Sequence, residues 1–76
     1  MAFRDIPIPP GSSNVQAVAY DDAAGVLEIT FLRGGARYRY QSVPGTVADG
    51  FTTSGMSAGK YMIFAIKNQY PFEGPF

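Results

Sequence analysis

The most legible stretch of the chain runs from Val26 to Leu32, where Leu27, Ile29 and Phe31 alternate with Val26, Glu28 and Thr30. Successive side chains leave a strand on opposite sides, so this spacing predicts a strand with one face buried. A preceding strand is expected over about Val15 to Tyr20, opened by Ser12-Ser13-Asn14. Asp21-Asp22-Ala23-Ala24-Gly25 reads as the turn between them, with Gly25 available for a positive backbone angle. Arg33-Gly34-Gly35 reads as a hairpin turn into a third strand, about Ala36 to Gln41. Tyr38 and Tyr40 then share one face of that strand, and Arg37 and Arg39 the other. Three strands this close together predict an antiparallel meander.

The period changes after Val43-Pro44. Pro44 suits the first position of a helix, and Val47 and Phe51, four apart, would form its buried side, with Gly50 weakening it. Ser54-Gly55-Met56 breaks the pattern, and Ser57 is placed to cap a second helix that runs to about Gln69 and stops before Pro71. At about 100° per residue, Ala58, Tyr61, Met62, Ala65, Ile66 and Gln69 form one stripe of that helix, the pattern of a core-facing side. Ile63 and Phe64 fall off the stripe, where Lys60 and Lys67 also project. Either this helix is buried on more than one side, or it presents apolar residues to a partner. The expected class is α+β: a three-stranded antiparallel meander followed by two helices packed on one face.

Residues 1–11 carry Pro7, Pro9, Pro10 and Gly11 and read as an extended, polyproline-like arm. With Phe3, Ile6 and Ile8 on it, the arm is expected to lie against its own domain or a neighbour. Residues 12–73 form the domain and 74–76 a short tail.

Composition narrows the chemistry. Seventy-six residues allow one domain, and a chain of this size buries only roughly 60% of its unfolded surface, so the core must be efficient. Eleven Phe and Tyr residues supply that core. There is no Cys and no His. The usual neutral-pH base, the thiolate nucleophile and the His–Cys zinc site are therefore excluded, and the chain is not expected to be an enzyme. The acids are scattered; only Asp21 and Asp22 adjoin, in a turn where solvation is the ordinary state, so neither a metal nor another cofactor is expected. Phe3 is followed at once by charges and prolines rather than an apolar run, and the longest apolar stretch, Tyr61 to Ile66, is far too short to span a bilayer. A cytoplasmic protein is the expectation.

Net charge is zero, yet residues 1–32 hold one cation against four acids, and residues 33–67 hold five cations against one acid. A basic patch of Arg33, Arg37, Arg39, Lys60 and Lys67 is thereby permitted, and phosphate contact depends on such cations converging. Tyr38 and Tyr40 have two readings, stacking on unpaired bases or packing on the core face with Leu27, Ile29 and Phe31. Arg37 and Arg39 would then face solvent across from Glu28. Gly34-Gly35 leads into a strand, not a helix, so it is a turn and not an anion cradle. Gly55 to Lys60 lacks the spacing of a phosphate-binding loop.

Taken together, Ser12-Ser13-Asn14, Val18-Ala19-Tyr20-Asp21, Leu27-Glu28-Ile29-Thr30-Phe31, Gly34-Gly35, Tyr38-Arg39-Tyr40 and Val43-Pro44 resemble the KTSC domain. So do Ser57-Ala58-Gly59-Lys60-Tyr61, Ile66-Lys67 and Tyr70-Pro71-Phe72, and the likeness covers roughly residues 12–73. The family is found at the carboxyl end of some lysyl-tRNA synthetases and as free-standing short proteins of bacteria and their phages. The resemblance implies a small binding domain, with RNA as the usual suggestion, and a virion-associated location if the chain is phage-encoded. Family members tend to be polar where this chain has Ile63 and Phe64.

Two functions are therefore expected to compete. One is protein docking or self-association through Ile63, Phe64, Phe3, Ile6, Ile8 and Phe76. The other is binding of RNA or single-stranded nucleic acid through Arg33, Arg37, Arg39, Tyr38, Tyr40, Lys60 and Lys67.

Overall fold

The computed structural model describes residues 2–9 and 14–76. Its centre is a five-stranded antiparallel sheet in simple sequence order: β1 (Arg4–Asp5), β2 (Val15–Asp21), β3 (Val26–Phe31), β4 (Arg37–Tyr40) and β5 (Phe72–Glu73). The meander predicted from the sequence forms its middle. The two added strands are only two residues long each, too short to leave an alternating pattern. Arg4 and Asp5 pair with Tyr20 and Ala19, so part of the expected arm is an edge strand; Pro10 to Ser13 lie outside the described residues.

Register decides which side chains meet. One cross-strand row runs Arg4, Tyr20, Leu27, Tyr40, Phe72, and a second runs Val18, Ile29, Tyr38. Both rows lie on the face that the helices cover. A bulge between Val15 and Ala17 changes the parity of β2, which lets Val15 join the same core as Val18 and Tyr20. On the opposite face, Asp5, Ala19, Glu28, Arg39 and Glu73 form a third row.

The turn from β2 to β3 is built by Asp21, which is buried and not solvated as a turn acid would be. Its carboxylate accepts from the Ala23 and Ala24 amides, and Gly25 takes a left-handed conformation at φ 67°. A single 3₁₀ turn at Arg33–Gly35 carries the chain from β3 to β4.

Helix α1 (Gly45–Thr53) begins after Pro44, which sits at the cap position in extended conformation instead of inside the first turn. Ala48, Gly50 and Phe51 are its buried residues, with Val47 half-buried beside them. Helix α2 (Ala58–Tyr61) is capped by Ser57, whose hydroxyl accepts from the Lys60 amide. It runs directly into a π-helical turn, Met62–Ile66, closed by the Lys67 amide donating to the Met62 carbonyl at 2.8 Å. The helix ends there, earlier than the pattern suggested. Lys67 is already extended and Asn68 is left-handed at φ 63°, so Gln69 lies beyond the helix and is exposed.

The two helices are locked by Tyr61. Its ring packs edge-on against Phe51 at 4.6 Å, and its hydroxyl donates to the Val47 carbonyl at 2.7 Å. Gly50 makes that possible: a Cβ there would stand 1.9 Å from the Tyr61 hydroxyl. The glycine that weakens α1 is the seat of α2. Tyr20 plays a matching part from the sheet, donating to the Val43 carbonyl ahead of α1.

Candidate functional site

Strand β4 separates the expected nucleic-acid residues into two groups, because its side chains alternate between faces. Tyr38 and Tyr40 point to the helix-covered face, where Tyr40 is buried and Tyr38 half-buried. The helices leave the β4–β5 end of this face uncovered, and a groove of about 550 Å³ opens there. Its floor is a ladder of rings: Phe31 meets Tyr38 edge-on at 5.6 Å, Tyr38 meets Phe72 at 5.6 Å, and Phe72 meets Tyr40 at 5.5 Å. Met62 and Ile63 of the π turn and Lys67 just after it form one wall, and Arg33, Asn14 and Asn68 complete the rim.

No Asp or Glu among the described residues lines the groove. Among the described residues, Arg33 and Lys67 have no ion pair or side-chain hydrogen bond. A concave, largely apolar floor with a few converging polar groups is the ordinary anatomy of a binding site. Burial raises the pKa of Tyr40, and the nearby Tyr38 adds to that shift, so Tyr40 stays a neutral phenol.

Arg37 and Arg39 lie on the other face and cannot join Arg33 and Lys67 on one surface. Arg39 pairs with Glu28 at 3.0 Å, and Arg37 approaches the same carboxylate at 4.0 Å. The Arg39 guanidinium is also held between two rings, 5.3 Å from the centroid of Phe3 and 5.1 Å from that of Phe76. Phe3 and Phe76 thus both engage Arg39 within the same molecule, and the Phe76 amide donates to the Arg37 carbonyl. Lys60 is exposed on α2 and is not part of the groove.

The residues expected to dock a protein are also divided. Ile6 is 3% exposed in the core, its amide donating to the Val18 carbonyl, so its side chain offers no free surface. Ile8 packs partly buried against that core. Ile63 and Phe64 are 64% and 71% exposed. They lie off the buried stripe of Tyr61, Met62 and Ile66, with Ala65 half-buried against the core beside it. Sequence reading missed Phe31, Tyr70, Phe72, Asn14 and Asn68 as groove residues. Tyr70 and Phe72 carried a usable signal, two aromatics at strand spacing, but Pro71 between them hid the short strand that follows.

Elsewhere, Arg4 ties β1 to the turn at Asp22 and to α1 at Asp49, at 2.7 Å and 3.1 Å. These contacts raise the Arg4 pKa, and the hydrogen bond from Arg4 holds Asp22 below the usual carboxylate range. Among the described residues no helix is long and apolar enough to cross a membrane.

A structure search finds the same fold in the crystal structure of a KTSC domain protein from Yersinia pestis, with a TM-score of 0.79 and 29% identity over 95% of this chain and 96% of that one. A comparison with curated proteins finds no match. The family model for the KTSC domain matches residues 11–70, a span that holds the three long strands and both helices. The chain belongs to the KTSC domain family.

Proposed function

We propose that this protein is a non-catalytic docking module that receives a segment of another protein in the groove between β4–β5 and the end of α2. One observation carries the reading: the groove and the exposed apolar residues coincide. Ile63 forms its wall, Phe72 on its floor is 56% exposed, and Phe64 projects from the same helical turn. Apolar side chains held out to water next to a preformed concavity are a standing gain for any partner that covers them, about 25 cal/mol per Å² of apolar surface removed from water. Single π-type turns are uncommon and recur at functional sites, and here the pair lies on one.

A second reading, binding of single-stranded nucleic acid, draws on the convergence of Arg33, Tyr38, Tyr40 and Lys67 at the groove. Ring faces and cations together suit unpaired bases. Against it stands the orientation of Arg37 and Arg39, which removes two of the five cations it needs.

The test is selection of a random peptide library on the folded protein, with an oligouridylate titrated in parallel and amide resonances as the readout. Docking predicts selected peptides that shift Tyr38, Ile63 and Lys67. Their affinity should fall at least about tenfold in Ile63→Ser/Phe64→Ser, the loss expected from two exposed apolar anchors. Oligouridylate binding at the same resonances, steeply weakened by salt and with no peptide selected, would establish the second reading instead.

A further inference from the structure

The groove says something about the chemistry of what enters it. We propose that its occupant is an extended internal segment of a partner protein in which an acidic side chain neighbours a large apolar one. The carboxylate goes to Arg33 and Lys67, and the apolar side chain lies on Tyr38 and Phe72. This deepens the docking reading above and rests on it.

Charge complementarity is the first argument. Arg33 and Lys67 reach the rim from different elements, one after β3 and one after the π turn, and among the described residues no carboxylate lines the groove to satisfy them. Elsewhere among the described residues guanidinium groups find acids: Arg4 takes Asp22 and Asp49, and Arg39 takes Glu28. Two cations suit one carboxylate. A phosphate backbone asks for a row of cations, and Arg37 and Arg39 face away.

The second argument is the rim amides. Asn14 and Asn68 each present a donor and an acceptor, the same two groups that a peptide unit presents, so they can hold the backbone of an extended segment.

A second copy of this chain is poorly supplied with free acids to offer. Of its six acids, Asp21 is buried, Asp22 and Asp49 hold Arg4, and Glu28 holds Arg39. Only Asp5 and Glu73 remain. Glu73 follows Phe72, which is itself part of the groove floor.

The experiment uses capped nonapeptides with a central Phe and with Glu, Gln or Lys placed at each other position in turn, titrated into the full chain. The best Glu peptide is expected to bind about tenfold tighter than its Gln counterpart, the worth of one charge-assisted hydrogen bond. That preference should vanish in Arg33→Ser/Lys67→Ser and return in Arg33→Lys/Lys67→Arg. Both positions are exposed, and the dispersion of the amide spectrum checks that each variant is folded. Equal binding of Glu and Gln peptides would overturn the acidic occupant and leave the docking reading standing. Groove shifts with oligouridylate alone would overturn both. Groove shifts on merely concentrating the protein would overturn the heterologous partner in favour of a second copy.

Discussion

The two faces of β4 carry the same kind of residues to opposite ends. On one face Arg39 is spent inside the molecule: an acid, two phenylalanine rings and both ends of the described chain close over it. On the other, two tyrosines and two cations from neighbouring elements line a groove, and among the described residues no acid pairs with the cations. The difference teaches that an alternating Arg-Tyr-Arg-Tyr strand cannot be one binding surface. The pleat divides it, and the partners already present on each side decide which half is free.

The largest effect should come from removing the support of the groove wall. Gly50→Ala would place a methyl group 1.9 Å from the Tyr61 hydroxyl, so α2 must shift or the Tyr61–Val47 hydrogen bond must break. Overpacking plus a lost buried hydrogen bond should cost about 3 kcal/mol, read from urea unfolding. Residual binding in the groove should fall with it, while the Arg39 clasp, carried by the sheet, should keep its chemical shifts in the folded fraction. Loss of both together would show that the faces are not independent.

High pH should act on the covered face next. Burial raises the pKa of Tyr20, Tyr40 and Tyr61, because the neutral phenol is the form the interior tolerates. The unfolded chain therefore releases these protons first. Their contribution to stability is complete below the unfolded value, about 10, and is lost as pH rises through the higher folded values. Urea midpoints should be level below that point and fall above it. A midpoint that rose with pH there would contradict the burial assigned to all three rings.

Glu28→Gln probes the open face. The Glu28 side chain is 15% exposed and is shared by Arg37 and Arg39, so the substitution leaves Arg39 without its counter-charge. A cost of about 1–2 kcal/mol is expected, with sharpened, mobile resonances for Phe3 and Phe76. Peptide affinity in the groove should not move. A change there would join the two faces that β4 separates.

How far the sequence exposed this arrangement depended on the length of each element. Leu27, Ile29 and Phe31 declare their face because six residues of alternation leave little choice, and Ser57 and Gly25 declare a cap and a turn by their chemistry. The edge strands are two residues each, below the length at which a period exists. Ile6 looked like a surface anchor because prolines surround it, yet pairing of Arg4 and Asp5 with β2 swings it into the core. The exposure of Ile63 and Phe64 was visible as a departure from the helical stripe, but a fixed helical period put Gln69 on that stripe. The π turn and the left-handed Asn68 end the helix first. The groove itself was hidden, since it joins residues from Asn14 to Phe72 that only the register of β4 with β5 brings together.

The smallest effect on stability offers the sharpest discrimination. Arg33 and Arg37 flank the same turn, both are exposed, and either changed to Ser should leave stability within about 0.5 kcal/mol. They differ in where the side chain can go. Arg37 leans toward Glu28 on the open face, at the 4.0 Å limit of an ion pair, while Arg33 stands on the groove rim with no ion pair among the described residues. Arg33→Ser should therefore weaken an acidic peptide by about tenfold, and Arg37→Ser should leave it within about twofold, because a screened charge on the far face contributes little. Equal losses would mean that the peptide senses only net charge and not the groove. A loss confined to Arg37→Ser would place the docking surface on the open face, with Arg39, Phe3 and Phe76 as its centre.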